Sequence, residues 1–186
     1  MLQLDFAALR SGTMTLNEQT KALTQADLRA LMKELFDTIQ TSIAGATDQA
    51  AIFVPNDPEA QSGDEKGWTL GHVVAHLTAT LEECFAIAAQ LARGVEIAGD
   101  VRLRYETPWE SIQTAGQVTA RLAESRRMAT AFLDAWPDEP NLQVASLRIP
   151  TFGPMNAIST CALGLLHGQM HLQQITEILR QAGQSA

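Results

Sequence analysis

Residues 163–181 read LGLLHGQMHLQQITEILRQ and contain two of the chain's four histidines at helical spacing. His167 and His171 are four residues apart, so on a helix they lie on the same face, one turn from each other. His171 falls in the apolar half of this predicted helix, and His167 falls at the edge of that half. An imidazole in an apolar arc needs partners for its ring nitrogens, so this placement indicates a site rather than ordinary surface.

The other two histidines, His72 and His76, are also four residues apart. They lie near the start of a helix predicted over residues 69–93, and its apolar stripe consists of Leu70, Val73, Val74, Leu77, Leu81, Cys84, Phe85 and Ala88. His76 flanks that stripe and can face His167 and His171 from a neighbouring helix. Three neutral imidazoles on one divalent ion leave a coordination position open, which is the catalytic pattern. We therefore predict that His76, His167 and His171 bind a metal ion.

Two further side chains on this helix have several interpretations. His72 lies nearly opposite the apolar stripe, and it is a fourth ligand, a hydrogen-bonding neighbour of a ligand, or plain surface; its position favours the last two. Glu83 lies two turns after His76 on the same side. It is a hydrogen-bond acceptor for a ligand, a proton acceptor in catalysis, or an exposed carboxylate.

Length and composition describe one acidic globular domain. The chain has 186 residues and a net charge of −8, without a run of Lys or Arg, which disfavours nucleic-acid binding. There is no uncharged apolar run of membrane-spanning length, and the first residues lack a basic start and include Asp5, unlike a secretory signal. We expect a cytoplasmic protein that does not bind membranes. Cys84 and Cys161 lie in apolar helical patterns and are expected to be buried thiols.

Amphipathic patterning predicts an all-α four-helix bundle. Thr24 is a suitable N-cap for the first long helix, with Asp27 placed to complete a capping box. We expect residues 1–23 to form an N-terminal arm and residues 24–186 to form the metal-binding domain. The four long helices are predicted over residues 24–46, 69–93, 112–136 and 154–181.

Long connections separate these helices. Residues 56–67 form a polar loop rich in turn residues, and residues 95–111 concentrate aromatic and ionic side chains. The second connection has two interpretations: a loop that clamps the end of the bundle, or a lid over the site. In the lid interpretation Arg104 contacts a cofactor or substrate, and Tyr105 acts at the substrate.

Several other sites are excluded by missing motifs. The chain has no HExxH and no Glu three residues before a His, so neither a zincin helix nor the usual di-iron bundle motif is present. It has no phosphate-binding glycine motif and no nucleophile elbow.

Two stretches resemble the DinB/YfiT-like superfamily of helical-bundle metalloproteins. Residues 68–77, WTLGHVVAHL, are similar to the family's second helix, and residues 167–175, HGQMHLQQI, are similar to its last helix. Each motif is loose alone, but both in this order, with these helix lengths, are fairly specific. The resemblance covers roughly residues 24–181.

The resemblance implies an up-down-down-up four-helix bundle, often dimeric, with zinc or nickel on three histidines. Carried over, the ligands are His76, His167 and His171, and a fourth ligand at His72 would depart from the family. Known activities include transferases and isomerases that use low-molecular-weight thiols. The resemblance thus favours a homodimeric, metal-dependent transferase acting on an electrophilic small molecule. The alternatives are a metal-water hydrolase, with Glu83 as the proton acceptor, and a non-catalytic metal-binding or stress-response protein.

Overall fold

The computed structural model describes residues 1–56, 66–98 and 101–183, and these are helical. Most of the polar loop predicted at 56–67 lies outside them. Within these ranges the extended structure is one isolated antiparallel bridge between Ser146 and Met155, and short 3₁₀ turns cover Trp109–Ser111 and Pro150–Phe152. The α-helices are α1 Phe6–Arg10, α2 Leu16–Thr20, α3 Gln25–Ile43, α4 Asp48–Ala51, α5 Leu70–Ala92, α6 Ala115–Asp134, α7 Ala157–Met170 and α8 Leu172–Gln181.

Capping residues determine where the long helices begin. Thr24 and Asp27 form the predicted reciprocal capping box of α3. The Thr69 side chain accepts a hydrogen bond from the His72 amide and caps α5. Helix α6 begins three residues later than predicted, because Thr114 is its N-cap.

Helix α5 is the central element of the fold. Both α6 and α7 pack against α5 and also against α3, so α3 and α5 lie on opposite sides of the core. The whole predicted apolar stripe of α5 is buried. The four residues of α5 that are not buried are His72, His76, Thr80 and Gln90. The histidines therefore lie on the strip of α5 that reaches the surface.

The last predicted helix is interrupted, which corrects the expectation of one helix over 154–181. Helix α7 is capped by Asn156 and ends at Met170, and α8 begins at Leu172. His171 lies at the junction, where its amide donates to the carbonyl of Gln169.

Glycines allow α7 to approach its neighbours closely. A Cβ on Gly164 would lie 2.8 Å from Cys84 Cβ on α5, and one on Gly168 would lie 2.8 Å from Leu35 Cδ2 on α3. These contacts bring the histidine-bearing end of α7 close to both α5 and α3. Cys84 and Cys161 are buried free thiols, as predicted, and burial raises the pKa of Cys84 to about 12.

The N-terminal residues pack on the body of the same chain. Helix α2 contacts α7, and the Asn17 side chain accepts hydrogen bonds from the Asn156 amide and the Ser159 hydroxyl. None of the described helices is both long enough and apolar enough to cross a bilayer.

Candidate metal centre

Three histidines converge from two sides of the helix interface. His76 extends from α5, His167 extends from α7, and His171 lies at the α7–α8 junction. His167 Nε2 is 3.1 Å from His76 Nε2 and 3.4 Å from His171 Nε2. One ring nitrogen from each histidine lies within 4.8 Å of the other two. The predicted convergence of His76, His167 and His171 is confirmed.

The nitrogen spacing matches that of ligands on one ion. Two imidazole nitrogens at zinc-bond lengths in a tetrahedral arrangement lie about 3.3 Å apart. The Nε2 separations from His167 to His76 and to His171, 3.1 Å and 3.4 Å, lie on either side of that value. Across the described ranges, these three residues are the group of potential donors that meets at one point. His72 and Glu83 are not members, so the set is a three-imidazole one.

Burial keeps the central imidazole neutral. Desolvation, followed by the proximity of His171 and His76, lowers the pKa of His167 to about 3. Its lone pair is therefore available for a ligand at neutral pH. His167 Nδ1 is buried and finds no hydrogen-bond partner in the part of the chain that the structure describes.

Hydrogen-bond acceptors orient the other two rings. His76 Nδ1 lies 3.2 Å from Glu106 Oε2, and His171 Nδ1 lies 2.8 Å from Gln174 Oε1. An acceptor at Nδ1 keeps the proton on that atom, so the Nε2 lone pair faces the centre of the triad. Each ring thus presents the nitrogen that converges with His167.

Sequence reasoning assigned no role to Glu106 or Gln174. Gln174 lies three residues after His171, and this helical spacing was a usable signal. Glu106 lies thirty residues after His76, in a connection whose path the sequence does not reveal.

His72 contacts the neighbourhood of the triad rather than joining it. Its ring is stacked between Trp68, at a centroid distance of 4.1 Å, and Trp109, at 4.5 Å. Its Nε2 lies 3.7 Å from Glu106 Oε1, so one carboxylate faces both His72 and His76. Burial lowers the pKa of His72, and the Glu106 charge opposes that shift. His72 therefore lies beside the carboxylate that contacts His76, at a distance too long for a hydrogen bond to it.

The connection that carries Glu106 is fastened to α5. Glu83 Oε2 accepts hydrogen bonds from the amides of Leu103, at 2.9 Å, and Arg104, at 2.6 Å. Glu83 Oε1 accepts from Arg148 Nη2 at 3.0 Å. A Cβ on Gly71 would collide with the carbonyl oxygen of Ile112, so the end of the connection lies directly on the first turn of α5. These contacts fit the clamp interpretation of the connection.

The other predicted site residues, Glu83, Arg104 and Tyr105, lie outside the converging triad. Glu83 is only 6% exposed, so it is not a surface carboxylate. Arg104 Nη2 lies 3.0 Å from the Glu82 carboxylate, whose other oxygen pairs with Arg121. Tyr105 is 75% exposed. The catalytic roles of Glu83 and Tyr105, and the cofactor-binding role of Arg104, stay predictions.

Comparison with known proteins agrees with the two histidine motifs. A family model described as the DinB superfamily matches residues 9–175, which is most of the chain. No curated protein and no solved structure gives a match. The matched range includes all three converging histidines and the helices that carry them. The chain belongs to the DinB superfamily.

Proposed function

We propose that the protein is a divalent-metal-dependent transferase that joins a low-molecular-weight thiol to an electrophilic small molecule. His76, His167 and His171 hold the ion. The observation that supports this proposal is the three-imidazole set, which takes no fourth donor from the described residues. Three protein ligands leave a position for an exchangeable ligand, whereas structural sites are normally closed by four.

The surrounding residues prepare this site for a thiol. A divalent ion lowers the pKa of a thiol at its open position, which supplies a nucleophilic thiolate at neutral pH. Burial holds His167 in the neutral, ligating form. Glu106 and Gln174 accept the Nδ1 protons of His76 and His171 and so fix both ring orientations.

The finer features of the family are part of this proposal. Neutral imidazole suits either zinc or nickel, the two metals that the resemblance implies. We expect the long helices to follow the up-down-down-up order and the chain to act as a cytoplasmic homodimer. The helix contacts support such a bundle, since α6 and α7 each pack on both α3 and α5.

Hydrolysis by metal-bound water is the less supported alternative. It needs a proton acceptor beside the ion, and Glu83 was the predicted candidate. Both Glu83 oxygens already accept hydrogen bonds, from Leu103, Arg104 and Arg148. Glu83 therefore has little capacity left for a proton from water.

Metal analysis tests the first part of the proposal. Purified protein should contain about one divalent ion per chain, and His167→Ala should lower affinity by more than about 100-fold, because it removes the central ligand. Elemental analysis gives the metal content, and circular dichroism checks that the helices remain. His72→Ala is the matched control and should keep the ion. Full metal content in His167→Ala would contradict the ligand assignment.

A substrate screen tests the second part. Metal-loaded protein is incubated with electrophilic substrates and with esters, each with and without an added thiol. Transfer is expected to need both the ion and the thiol, and to disappear in His167→Ala. Ester turnover without any thiol would favour the hydrolase, and an ion that never exchanges its ligands would favour a non-catalytic protein.

A further inference from the structure

The open side of the metal centre is bordered by acidic side chains. We propose that this site selects thiols whose remaining groups are neutral or cationic, and that it disfavours anionic thiols. The inference rests on the proposed function and adds the charge class of its thiol. It follows from where solvent reaches the triad and from which charges are fixed there.

Solvent reaches the triad at His76. The His171 ring is buried at 5% exposure and His167 is half-buried, whereas the His76 side chain is 27% exposed. The Glu106 carboxylate lies at this exposed edge, 3.2 Å from His76 Nδ1. A ligand at the Nε2 atoms is therefore separated from Glu106 by the width of the His76 ring.

A second carboxylate adds to the negative potential. Glu110 belongs to the short turn Trp109–Ser111, and Trp109 stacks on His72. Both Glu106 and Glu110 raise the pKa of His72 against the effect of burial, which places their charges within electrostatic reach of the site. Among the described residues, neither glutamate forms an ion pair with an arginine or lysine.

Two nearby arginines pair with other carboxylates and not with Glu106 or Glu110. Arg104 is paired with Glu82, and Arg148 is paired with Glu83 and donates to the Val101 carbonyl. Arg102 is the other arginine of the connection and is exposed, so it is the charge that could oppose the proposal.

The acidic border is also fixed in place. Glu83 holds the backbone of residues 103 and 104, and the collision expected at Gly71 shows how closely Ile112 lies on α5. The carboxylates lie between these two anchor points. The backbone that carries these carboxylates is therefore held beside the triad, and an anionic ligand meets an unfavourable potential there.

Cobalt-loaded protein and three small thiols provide the test. Cysteamine carries a cationic amine, 2-mercaptoethanol is neutral, and 3-mercaptopropionate carries a carboxylate. The near-ultraviolet sulfur-to-cobalt absorption band reports thiol binding directly, without any turnover. For charges about 7 Å apart at an effective dielectric constant near 40, each unit charge changes affinity by about sevenfold. The expected order is cysteamine, then 2-mercaptoethanol, then 3-mercaptopropionate.

Charge variants separate the protein's contribution from the thiols' own acidity. The thiols differ in intrinsic pKa, but that difference cancels when the cysteamine-to-mercaptopropionate affinity ratio is compared between variants. Glu106→Gln should lower the ratio by about 50-fold, the product of two sevenfold effects, and Glu110→Gln should lower it less because it lies farther out. Glu124→Gln, which removes an exposed carboxylate paired with Arg127, should leave the ratio unchanged. Added salt should bring the cysteamine-to-mercaptopropionate affinity ratio closer to one, because it screens the charges.

The outcomes are distinguishable. Equal binding of all three thiols, or a preference for 3-mercaptopropionate, overturns the charge inference and leaves the proposed function standing. If that preference disappears in Arg102→Gln, the exposed arginine controls the entrance and the inference is wrong for that reason. If no thiol produces the absorption band while cobalt is bound, both the proposed function and this inference fail.

Discussion

Helix α5 carries two polar clusters, two turns apart, and their hydrogen bonding differs. At Glu82 and Glu83, every carboxylate oxygen faces a donor from an arginine or a backbone amide. At the histidine cluster, three imidazole rings instead direct their Nε2 atoms towards one another. Acceptors that face acceptors are unfavourable without a cation between them, whereas the oxygens of the glutamate cluster lie against arginine or amide donors of the protein. The histidine cluster therefore indicates ligand binding, and the glutamate cluster indicates structural support.

The glutamate cluster nevertheless contributes to the histidine cluster. Glu83 binds the backbone of residues 103 and 104, and Glu82 binds the Arg104 side chain. Glu106 follows two residues later and reaches His76. The buried carboxylates thus position the connection that orients a metal ligand.

Neutralising one carboxylate in each cluster should separate stability from metal affinity. Glu82 is 2% exposed, and Glu82→Gln leaves Arg121 without its anion, so unfolding free energy should fall by about 3 kcal/mol. Glu106→Gln should change stability little but weaken metal binding about 10- to 100-fold, because the neutral amide oxygen is a weaker acceptor for the His76 Nδ1 proton than the carboxylate. Urea unfolding and competition with a chelator measure the two quantities.

An exposed ion pair is the control for this comparison. Glu124→Gln breaks a surface pair with Arg127 and should change the unfolding free energy very little, with no change in metal affinity. If Glu106→Gln lowers stability as much as Glu82→Gln and leaves metal affinity intact, the assignment of the two clusters is reversed.

Sequence spacing predicted the features that depend on one helix at a time. The i, i+4 histidine pairs and the capping box at Thr24 and Asp27 are local, and both are present. Features that depend on the path of a connection were not predictable. Glu106 reaches His76 across thirty residues, and Glu83 is buried because a loop crosses over it. The break at His171 carries no proline or glycine signal of its own.

A change in the spacing between α5 and α7 should have a second, smaller effect on stability and on metal affinity. Gly164→Ala places a Cβ 2.8 Å from Cys84 Cβ, so α7 must move away from α5. We expect a loss of about 2 kcal/mol in unfolding free energy, and weaker metal binding because His167 moves relative to His76. Chelator competition and urea unfolding on the same sample measure both effects.

The matched control is a glycine in an open helical position. A Cβ on Gly116 of α6 meets only the Thr114 hydroxyl, at 3.9 Å, so Gly116→Ala should be neutral or stabilise by up to about 1 kcal/mol through helix propensity. An equal loss of metal affinity in both variants would show that packing between α5 and α7 does not set the ligand geometry.

Acidification of the metal-free protein should have the smallest effect. Burial, then His171 and His76, lower the pKa of His167 to about 3, below that of an unfolded histidine. The unfolded chain therefore binds a proton at this histidine that the folded chain does not bind. Because of this difference, stability decreases as the pH falls below the pKa of the unfolded histidine. Between about pH 7 and about pH 5.5 this group should cost about 1 kcal/mol. Urea unfolding with excess chelator at both pH values gives the difference, which should nearly vanish in His167→Gln. A pH dependence that is equally steep in this variant would assign the effect to other groups. The triad would then lack the imidazole of low proton affinity that distinguishes it from the glutamate cluster.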